Sequence, residues 1–293
     1  MKMIKHNHKA VYEPIADLVT YRAMPTSAVS MNQLDPFIFL NHHGYQEYPP
    51  NNHGLPFGPH PHRGFETVTF ILKGDLIHKD SSGAGSIIKE GGVQWMTAGS
   101  GLVHAEISSE AFKVNGGPLE ILQLWVNLPA KHKMTAPAYK GLQKDEIPVA
   151  TYNEGKVTAQ VISGIWDGVT GPIKPLTDIH LARINFSTNS HHTFSVEPGK
   201  TIFLYIVKGE LMINGEKTDM HHLVEFNQDG KMIEMKALTD AIILFGHATP
   251  FHEPFVAMGP FVMNTQQEIM QAYEDYNQGK FGDPDTLLKI VGR

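Results

Sequence analysis

A strand-like segment occurs twice in this 293-residue chain. Residues Thr67–Leu76 form an apolar run, a Lys-Gly pair, an acidic residue and a resumed apolar run, and Thr201–Leu211 repeat that order. The two copies lie about half a chain length apart. Because internal repetition indicates that one structural unit is used twice, the sequence predicts two related domains.

Short runs rich in β-branched and aromatic residues alternate with glycine and proline along most of the chain. The clearest of them are residues 67–72, 121–128, 179–186, 202–207 and 241–245. Many short strands bounded by turn residues are typical of an all-β sandwich or barrel. The sequence therefore predicts an all-β fold.

Helical periodicity is nearly confined to the C-terminal end. Thr265 and Glu268 have the spacing of a capping box. Apolar positions then recur at helical intervals, and a glycine can end the helix: Ile269, Tyr273, Tyr276 and Gly279. We expect one short amphipathic helix that packs on a barrel.

The domain boundaries follow from a change in composition. Residues 129–148 are richer in lysine, proline and glycine and carry less β pattern than their surroundings. We predict an N-terminal domain over residues 1–130, a connecting segment over 131–155, and a C-terminal domain over 156–293 that ends in the helix.

Composition excludes several classes of protein. With 41% hydrophobic and 18% charged residues, the chain can bury a core. A net charge of −6 without a Lys/Arg block disfavours a nucleic-acid or anionic-membrane binder. The absence of cysteine excludes disulfides, iron–sulfur clusters and thiolate sites. No apolar run suits a signal peptide or a membrane span, so we expect a cytoplasmic protein.

Two ligand-x-ligand pairs carry the chemistry: His60-Pro61-His62 and His104-Ala105-Glu106. Side chains two residues apart project from the same face of a strand. Neighbouring strands with these pairs would place three imidazoles and a carboxylate around one point. Glu66 has the strand parity of the first pair, so the residues alone leave open whether Glu66 or Glu106 supplies the carboxylate.

This donor set favours one divalent transition metal over calcium or magnesium, which prefer oxygen ligands. Iron(II) is the expected metal from cellular availability, while Mn, Co, Ni, Cu and Zn fit the same ligands. Three histidines and a carboxylate leave coordination positions open, as a catalytic site requires.

Long motifs surround both pairs. The segments His60–Thr69 and Gly92–Glu106 resemble the two metal motifs of the pirin family of bicupins, and shorter similarities run through most of the chain: Asp35–Phe37, Leu122–Leu128, Val161–Gly164 and Gly259–Asn264. The resemblance implies two tandem cupin barrels, also called double-stranded β-helices or jelly rolls. It implies a metal, usually iron, in the N-terminal barrel and none in the C-terminal barrel. It also implies the ligand set His60, His62, His104 and Glu106.

The resemblance further implies quercetin 2,3-dioxygenase activity, in which a flavonol is cleaved with O₂ and carbon monoxide is released. A metal would lower the pKa of the flavonol 3-hydroxyl, and Glu106 or a metal-bound water would accept its proton. Aromatic residues could hold the flat substrate, although each is also explained as ordinary core: Phe37, Phe57, Phe65, Trp95 and Trp125.

Two alternatives stay open. One is a pirin-like, iron-dependent redox sensor that regulates a protein partner, and the acidic balance favours such a partner over DNA. The other is a cupin enzyme for a different substrate. Arg63 has the opposite strand parity from its histidine neighbours, so we expect it to pair with a carboxylate. The doublets His42-His43, His191-His192 and His221-His222 are interpreted as structural or surface residues.

Overall fold

The computed structural model describes residues 1–284 and 287 of the chain. Within this range the chain is mainly β-strand, with helices α1 (Glu110–Asn115) and α2 (Gln266–Asn277) and three single turns of 3₁₀ helix. The all-β prediction is therefore confirmed. No helix in this range is long and apolar enough to cross a membrane.

The strands are numbered in chain order. The first twelve are β1 (Ile4–Lys9), β2 (Val11–Tyr12), β3 (Thr20–Met24), β4 (Phe37–Tyr48), β5 (Phe57–His62), β6 (Phe65–Lys73), β7 (Asp75–Asp80), β8 (Gly85–Lys89), β9 (Val93–Thr97), β10 (Leu102–Ile107), β11 (Gly117–Asn127) and β12 (Ala138–Leu142). The others are β13 (Val149–Tyr152), β14 (Val157–Ser163), β15 (Ile165–Trp166), β16 (Val169–Thr170), β17 (Ile179–Phe186), β18 (His191–Ser195), β19 (Thr201–Lys208), β20 (Glu210–Ile213), β21 (Glu216–Asp219), β22 (His222–Phe226), β23 (Met232–Ala237), β24 (Ala241–Ala248), β25 (Val256–Met258) and β26 (Phe261–Met263).

The chain forms two compact units, each built from segments that are not contiguous. The first unit comprises Glu13–Thr20, Asn41–Lys144 and the described residues from His252 onward. The second unit comprises Met1–Tyr12, Tyr21–Leu40 and Asp145–Phe251. Helix α2, which the sequence analysis placed in the C-terminal domain, thus belongs to the first unit. The boundaries at residues 130 and 156 stay predictions about the extent of the two repeats.

Each unit contains two larger antiparallel sheets and one two-stranded sheet, which is β25-β26 in the first unit and β15-β16 in the second. In the first unit lie five neighbouring strands of one seven-stranded sheet, in the order β12-β9-β6-β11-β4, and a four-stranded sheet with the order β5-β10-β7-β8. In the second unit the orders are β1-β22-β19-β24-β17-β14-β13 and β18-β23-β20-β21. The repeated Lys-Gly pairs lie at matching hairpins, where Gly74 and Gly209 adopt φ of 81° and 83°. A side chain there would also collide with a backbone carbonyl, at Pro118 and Asp240 respectively, so glycine is required twice.

The interiors of the two units differ in polarity. The second unit has a continuous apolar core in which both sheets contribute, for example Leu204 and Phe245 from one sheet and Ile213 and Met235 from the other. The first unit has an apolar core around Ile71 and Ile121, but its strands also bury polar side chains: His62, Thr69, His78, Gln94, His104 and Glu106. Burying so many polar groups costs free energy unless they are paired or bind a ligand. The buried polar residues of the first unit are therefore the candidates for a functional site.

Helix α2 begins as the sequence predicts. Thr265 is its N-cap and forms the complete capping box with Glu268. Ile269 and Ala272 pack with Val103 and Phe261 in a small apolar cluster of the first unit. The helix therefore packs on the unit that carries the histidine pairs.

Candidate metal centre

Three of the four predicted ligands converge inside the first unit. Strands β5 and β10 pair antiparallel with His104 opposite His60. The ring centroids of His60 and His104 lie 4.3 Å apart, and that of His62 lies 4.8 Å from His60 and 4.9 Å from His104. One ligand nitrogen from each of the three lies within 4.8 Å of the others. The two-residue spacing of the first pair and the strand pairing together produce this cluster.

The hydrogen bonds around the cluster leave nitrogens available for a metal. Nδ1 of His60 lies 2.7 Å from the carbonyl oxygen of Gly58, and Nδ1 of His62 lies 3.2 Å from that of Pro260. A carbonyl can only accept, so each Nδ1 carries the proton and each Nε2 presents a lone pair. Both ring nitrogens of His104 are buried without a hydrogen-bond partner in the described structure. Since an unsatisfied buried polar atom is costly, the three histidines fit a divalent transition metal.

The electrostatics favour the metal-binding form of these rings. Burial is the main cause that lowers the pKa of both His62 and His104 well below the usual value, and the neighbouring histidines add to the effect on each. Both imidazoles are therefore neutral near pH 7, and a neutral imidazole is the form that binds a metal.

Glu106 lies close by but outside the histidine cluster. A β-bulge separates it from His104 in the pairing with β5. One oxygen of its carboxylate accepts from Gln123 Nε2 at 2.6 Å, and the other accepts from Thr69 Oγ1 at 2.9 Å and from the amide of Gln94. Among the described residues, the group whose potential ligand atoms lie within 4.8 Å of one another consists of the three histidines and does not include Glu106. The assignment of Glu106 as a ligand and catalytic base stays a prediction.

Glu66 also lies outside the cluster formed by the described histidines. Its Oε1 accepts a hydrogen bond of 2.7 Å from Thr97 Oγ1. Burial raises the pKa of Glu66 to about 7. The hydrogen bond from Thr97 lowers the pKa and offsets the effect of burial only in part. A carboxyl group that is half protonated at neutral pH is a poorer metal ligand than an ionised one.

A histidine–carboxylate pair, His78 and Asp80, lies next to His104. On β7, Nε2 of His78 is 2.9 Å from Oδ2 of Asp80, and the His78 ring stacks on Tyr139 with centroids 3.9 Å apart and planes 6° apart. Burial alone would raise the pKa of Asp80, but hydrogen bonds from His78 and Ser82 outweigh it and lower the pKa below its usual value. Asp80 is therefore ionised.

The polar residues that surround the ligands were not predicted from the sequence. Gln94 and Gln123 each stand as one polar residue within an otherwise apolar stretch, between Val93 and Trp95 and between Leu122 and Leu124. His78 and Asp80 repeat the two-residue spacing that drew attention to His60 and His62. Inward-facing polar residues within apolar strands were therefore the sequence signal that could have indicated these residues.

The five aromatic candidates separate into different environments. Phe65 and Trp125 adjoin the centre, since their rings lie 4.9 and 5.3 Å from that of His62. Phe57 is half-buried and packs 5.3 Å from His43, and Trp95 is buried on β9. Phe37 belongs to the second unit, where its ring packs 5.3 Å from Phe203. Phe65 and the half-buried Trp125 are therefore the aromatic residues with a direct place beside the histidines.

Arg63 has a structural role, as expected. Its guanidinium donates to Asp275 Oδ2 at 2.8 Å and to the Ser100 carbonyl at 2.7 Å, and it lies 4.5 Å from the centre of the Phe281 ring. The histidine doublets also take structural positions: His42 contacts Glu120 and His43 contacts Thr20, while His221 stacks on Tyr21. In the remaining doublet, the ring of His192 lies 4.0 Å from that of Tyr152 with the planes tilted by 31°, and His191 is exposed.

Comparison with known proteins agrees with the resemblance seen in the motifs. The Pirin family model matches residues 18–126, and the model of the pirin C-terminal cupin domain matches residues 181–282. The chain is 34% identical over 268 residues to a Pseudomonas aeruginosa protein named "Putative quercetin 2,3-dioxygenase", with 92% of each chain covered. It is 37% identical over 261 residues to Pirin-1 of Arabidopsis thaliana, with 87% of this chain and 86% of the relative covered.

Solved structures show the same fold. A crystal structure of quercetin 2,3-dioxygenase from Acinetobacter baumannii superposes with a TM-score of 0.90 at 33% identity, over 97% of this chain and 99% of the other. A bacterial pirin from Escherichia coli, solved in complex with nickel(II), superposes with a TM-score of 0.66 at 21% identity, over 85% of this chain and 100% of the other. The expected pair of cupin domains is thus confirmed, and the chain belongs to the pirin family.

Proposed function

We propose that this protein is a metal-dependent dioxygenase of the quercetin 2,3-dioxygenase type. The observation that carries the proposal is the convergence of His60, His62 and His104, with both ring nitrogens of His104 buried and unpartnered in the described structure. Relatives at 30–34% identity that bear the quercetin dioxygenase name support the choice of reaction. The proposed substrates are a flat, flavonol-like aromatic hydroxy compound and O₂.

The proposed cofactor is one divalent transition metal held by the three histidines, with Glu106 as the fourth ligand. Iron(II) is the expected metal, and the nickel(II) of the Escherichia coli pirin is consistent with a site that admits several metals. When bound, the metal supplies Lewis acidity that lowers the pKa of a substrate hydroxyl, together with a place for O₂. The carbonyls of Gly58 and Pro260 keep His60 and His62 oriented toward it.

Glu106 has the properties required of a ligand or base. Three donors hold its two oxygens, and an ionised carboxylate offers about four lone-pair sites, so one site is left. A small movement of the carboxylate toward His104, its neighbour on the same strand face, would offer that lone pair to the metal or to the substrate hydroxyl. The hydrogen bonds from Gln94 and Gln123 would then limit how far the carboxylate moves.

The aromatic residues beside the cluster provide the substrate contact. Trp125 is half-buried and packs against Phe65 with ring centroids 4.4 Å apart. Because His60 is also only partly buried, the centre is open on the side of this histidine. A flat ring system could enter there and pack against Trp125, which matches the expected flavonol.

The test is to measure metal content and flavonol turnover on one preparation. Metal is read by plasma mass spectrometry, and turnover by loss of flavonol absorbance under O₂, before and after chelation. We expect one metal per chain, turnover that chelation abolishes, and loss of both in His104→Ala. His192→Ala, which changes a histidine of the second unit, is the matched control and should keep both.

The outcomes separate the alternatives. A protein that binds no metal would overturn the centre itself. One metal per chain with no turnover of any flavonol would overturn the enzymatic proposal. A redox-dependent change in protein binding by that metal-loaded protein would then favour the regulatory alternative.

A further inference from the structure

Two buried histidines with unpartnered nitrogens lie side by side in the first unit. The rings of His78 and His104 have centroids 5.4 Å apart. Nδ1 of His78 and both nitrogens of His104 lack hydrogen-bond partners in the part of the chain that is described. Strands β7 and β10 pair with Asp80 opposite His104 and with His78 opposite Glu106, so the two histidines are diagonal neighbours across the pair.

The environment of Asp80 fixes which nitrogen of His78 carries the proton. Oδ1 of Asp80 accepts from the backbone N–H and the hydroxyl of Ser82 at 2.9 and 2.6 Å and from the backbone N–H of Ala84 at 3.2 Å. Oδ2 faces Nε2 of His78 at 2.9 Å. An ionised carboxylate only accepts, so Nε2 of His78 is the donor, and in a ring that carries a single proton Nδ1 is then a bare acceptor.

His104 needs such an acceptor if it binds a metal. A neutral imidazole that gives one nitrogen to a metal keeps a proton on the other, and that N–H is almost always held by a carbonyl, a carboxylate or water. His60 and His62 use backbone carbonyls for this purpose. His104 has no such carbonyl among the described contacts, and its ring is the one that lies against His78.

We propose that His104 donates its free N–H to Nδ1 of His78, which in turn donates from Nε2 to Asp80. A ring-to-ring hydrogen bond of ~3 Å puts imidazole centroids roughly 5 Å apart, close to the observed separation. The inference rests on the proposed metal centre, and it makes His78 and Asp80 positioning residues for one ligand. They fix the tautomer and plane of His104 and increase its basicity toward the metal, while Tyr139 holds the plane of His78 by stacking.

Asp80→Asn tests this chain of hydrogen bonds with little change of shape. The three donors around Oδ1 require an oxygen there, so the new amide group must face His78. That amide donates to Nε2 of His78, which forces the His78 proton onto Nδ1. A protonated Nδ1 cannot accept from His104, so the ligand loses its partner while the hydrogen bonds to Ser82 and Ala84 stay.

Cobalt(II) is the probe, with affinity measured by competition with a chelator. We expect Asp80→Asn to weaken cobalt binding by about 10- to 100-fold, the usual effect of removing such a partner. The matched control is Asp178→Asn in the second unit, where Asp178 pairs with His180 at 3.1 Å across the same two-residue spacing. It should leave cobalt affinity unchanged.

Proton NMR of the cobalt-loaded protein gives a readout that a general loss of stability would not imitate. The wild type should show three strongly shifted, exchangeable N–H signals, one from each histidine ligand. In Asp80→Asn two should remain at their positions and the signal of His104 should disappear by exchange or shift. Unchanged affinity together with three unchanged signals would overturn the inference.

A pair of variants at His78 keeps the inference testable if Asp80→Asn does not fold. His78→Gln retains a donor toward Asp80 and an acceptor toward His104, so it should keep most of the cobalt affinity. His78→Leu removes both and should lose it, and equal affinity of the two variants would contradict the inference. A wild type that binds no cobalt would be a separate failure, because it would remove the proposed centre and the inference with it.

Discussion

The buried carboxyl group of Glu66 should make the metal-free protein less stable as the pH rises. Burial raises the pKa of Glu66 from 4.5 to about 7, so between these values the unfolded chain ionises while the folded protein keeps its proton. The contribution of Glu66 to stability is thus complete below about pH 4.5 and is lost as the pH rises through 7. At roughly 1.4 kcal/mol for each pKa unit, the loss amounts to about 3 kcal/mol.

Glu66→Gln isolates this contribution. The amide oxygen can still accept from Thr97 Oγ1, and the amide does not titrate. We expect the free energy of unfolding of the variant, relative to wild type, to increase by about 3 kcal/mol between pH 4.5 and pH 8.5. Urea unfolding of both proteins in the presence of a chelator, followed by circular dichroism across this range, measures the difference.

The comparison of the two proteins is essential because other groups titrate as well. The lowered pKa values of His62 and His104 act in the opposite direction, since these rings must be neutral in the folded state, but they contribute equally to both proteins. Parallel stability curves for wild type and Glu66→Gln would refute the raised pKa. They would also remove one reason for preferring Glu106 to Glu66 as a metal ligand.

Two further predictions concern the centre itself. Glu106→Gln should weaken cobalt(II) binding at least tenfold and abolish flavonol turnover, whereas Glu66→Gln should keep the metal. Competition with a chelator measures the cobalt affinity of both variants. Weaker cobalt binding by Glu66→Gln than by Glu106→Gln would exchange the roles of the two carboxylates. Trp125→Ala should raise KM for a flavonol by about tenfold or more with a smaller effect on kcat, because the stacking surface beside His62 is lost; steady-state kinetics measure this, and an unchanged KM would place the substrate elsewhere.

The sequence predicted the histidine cluster because its geometry is local. In His60-Pro61-His62 the strand period alone puts both imidazoles on one face, and one strand pairing adds His104. The repeated Lys-Gly hairpin, the all-β class and helix α2 were predictable for the same reason, since each depends on short-range backbone preferences. The pirin resemblance added the order of the two cupin domains.

The polar surroundings of the cluster depend on long-range register and could not be predicted in the same way. Gln94 and Gln123 reach Glu106 because their strands, β9 and β11, both pair with β6. A shift of either strand by one residue would point its glutamine to the opposite face. The position of Phe37 is another example, because the strand that carries it, β4, passes from the second unit to the first.

The return of the chain to the first unit sets the time at which the metal centre can be completed during synthesis. The carbonyl of Pro260 orients His62, and the buried ammonium group of Lys133 binds the carbonyls of Gly64 and Val262. Both contacts need residues that are translated after the whole of the second unit. We therefore expect tight metal uptake only after residue 263 has left the ribosome. Metal binding by nascent chains that are stalled before and after that point would test this expectation.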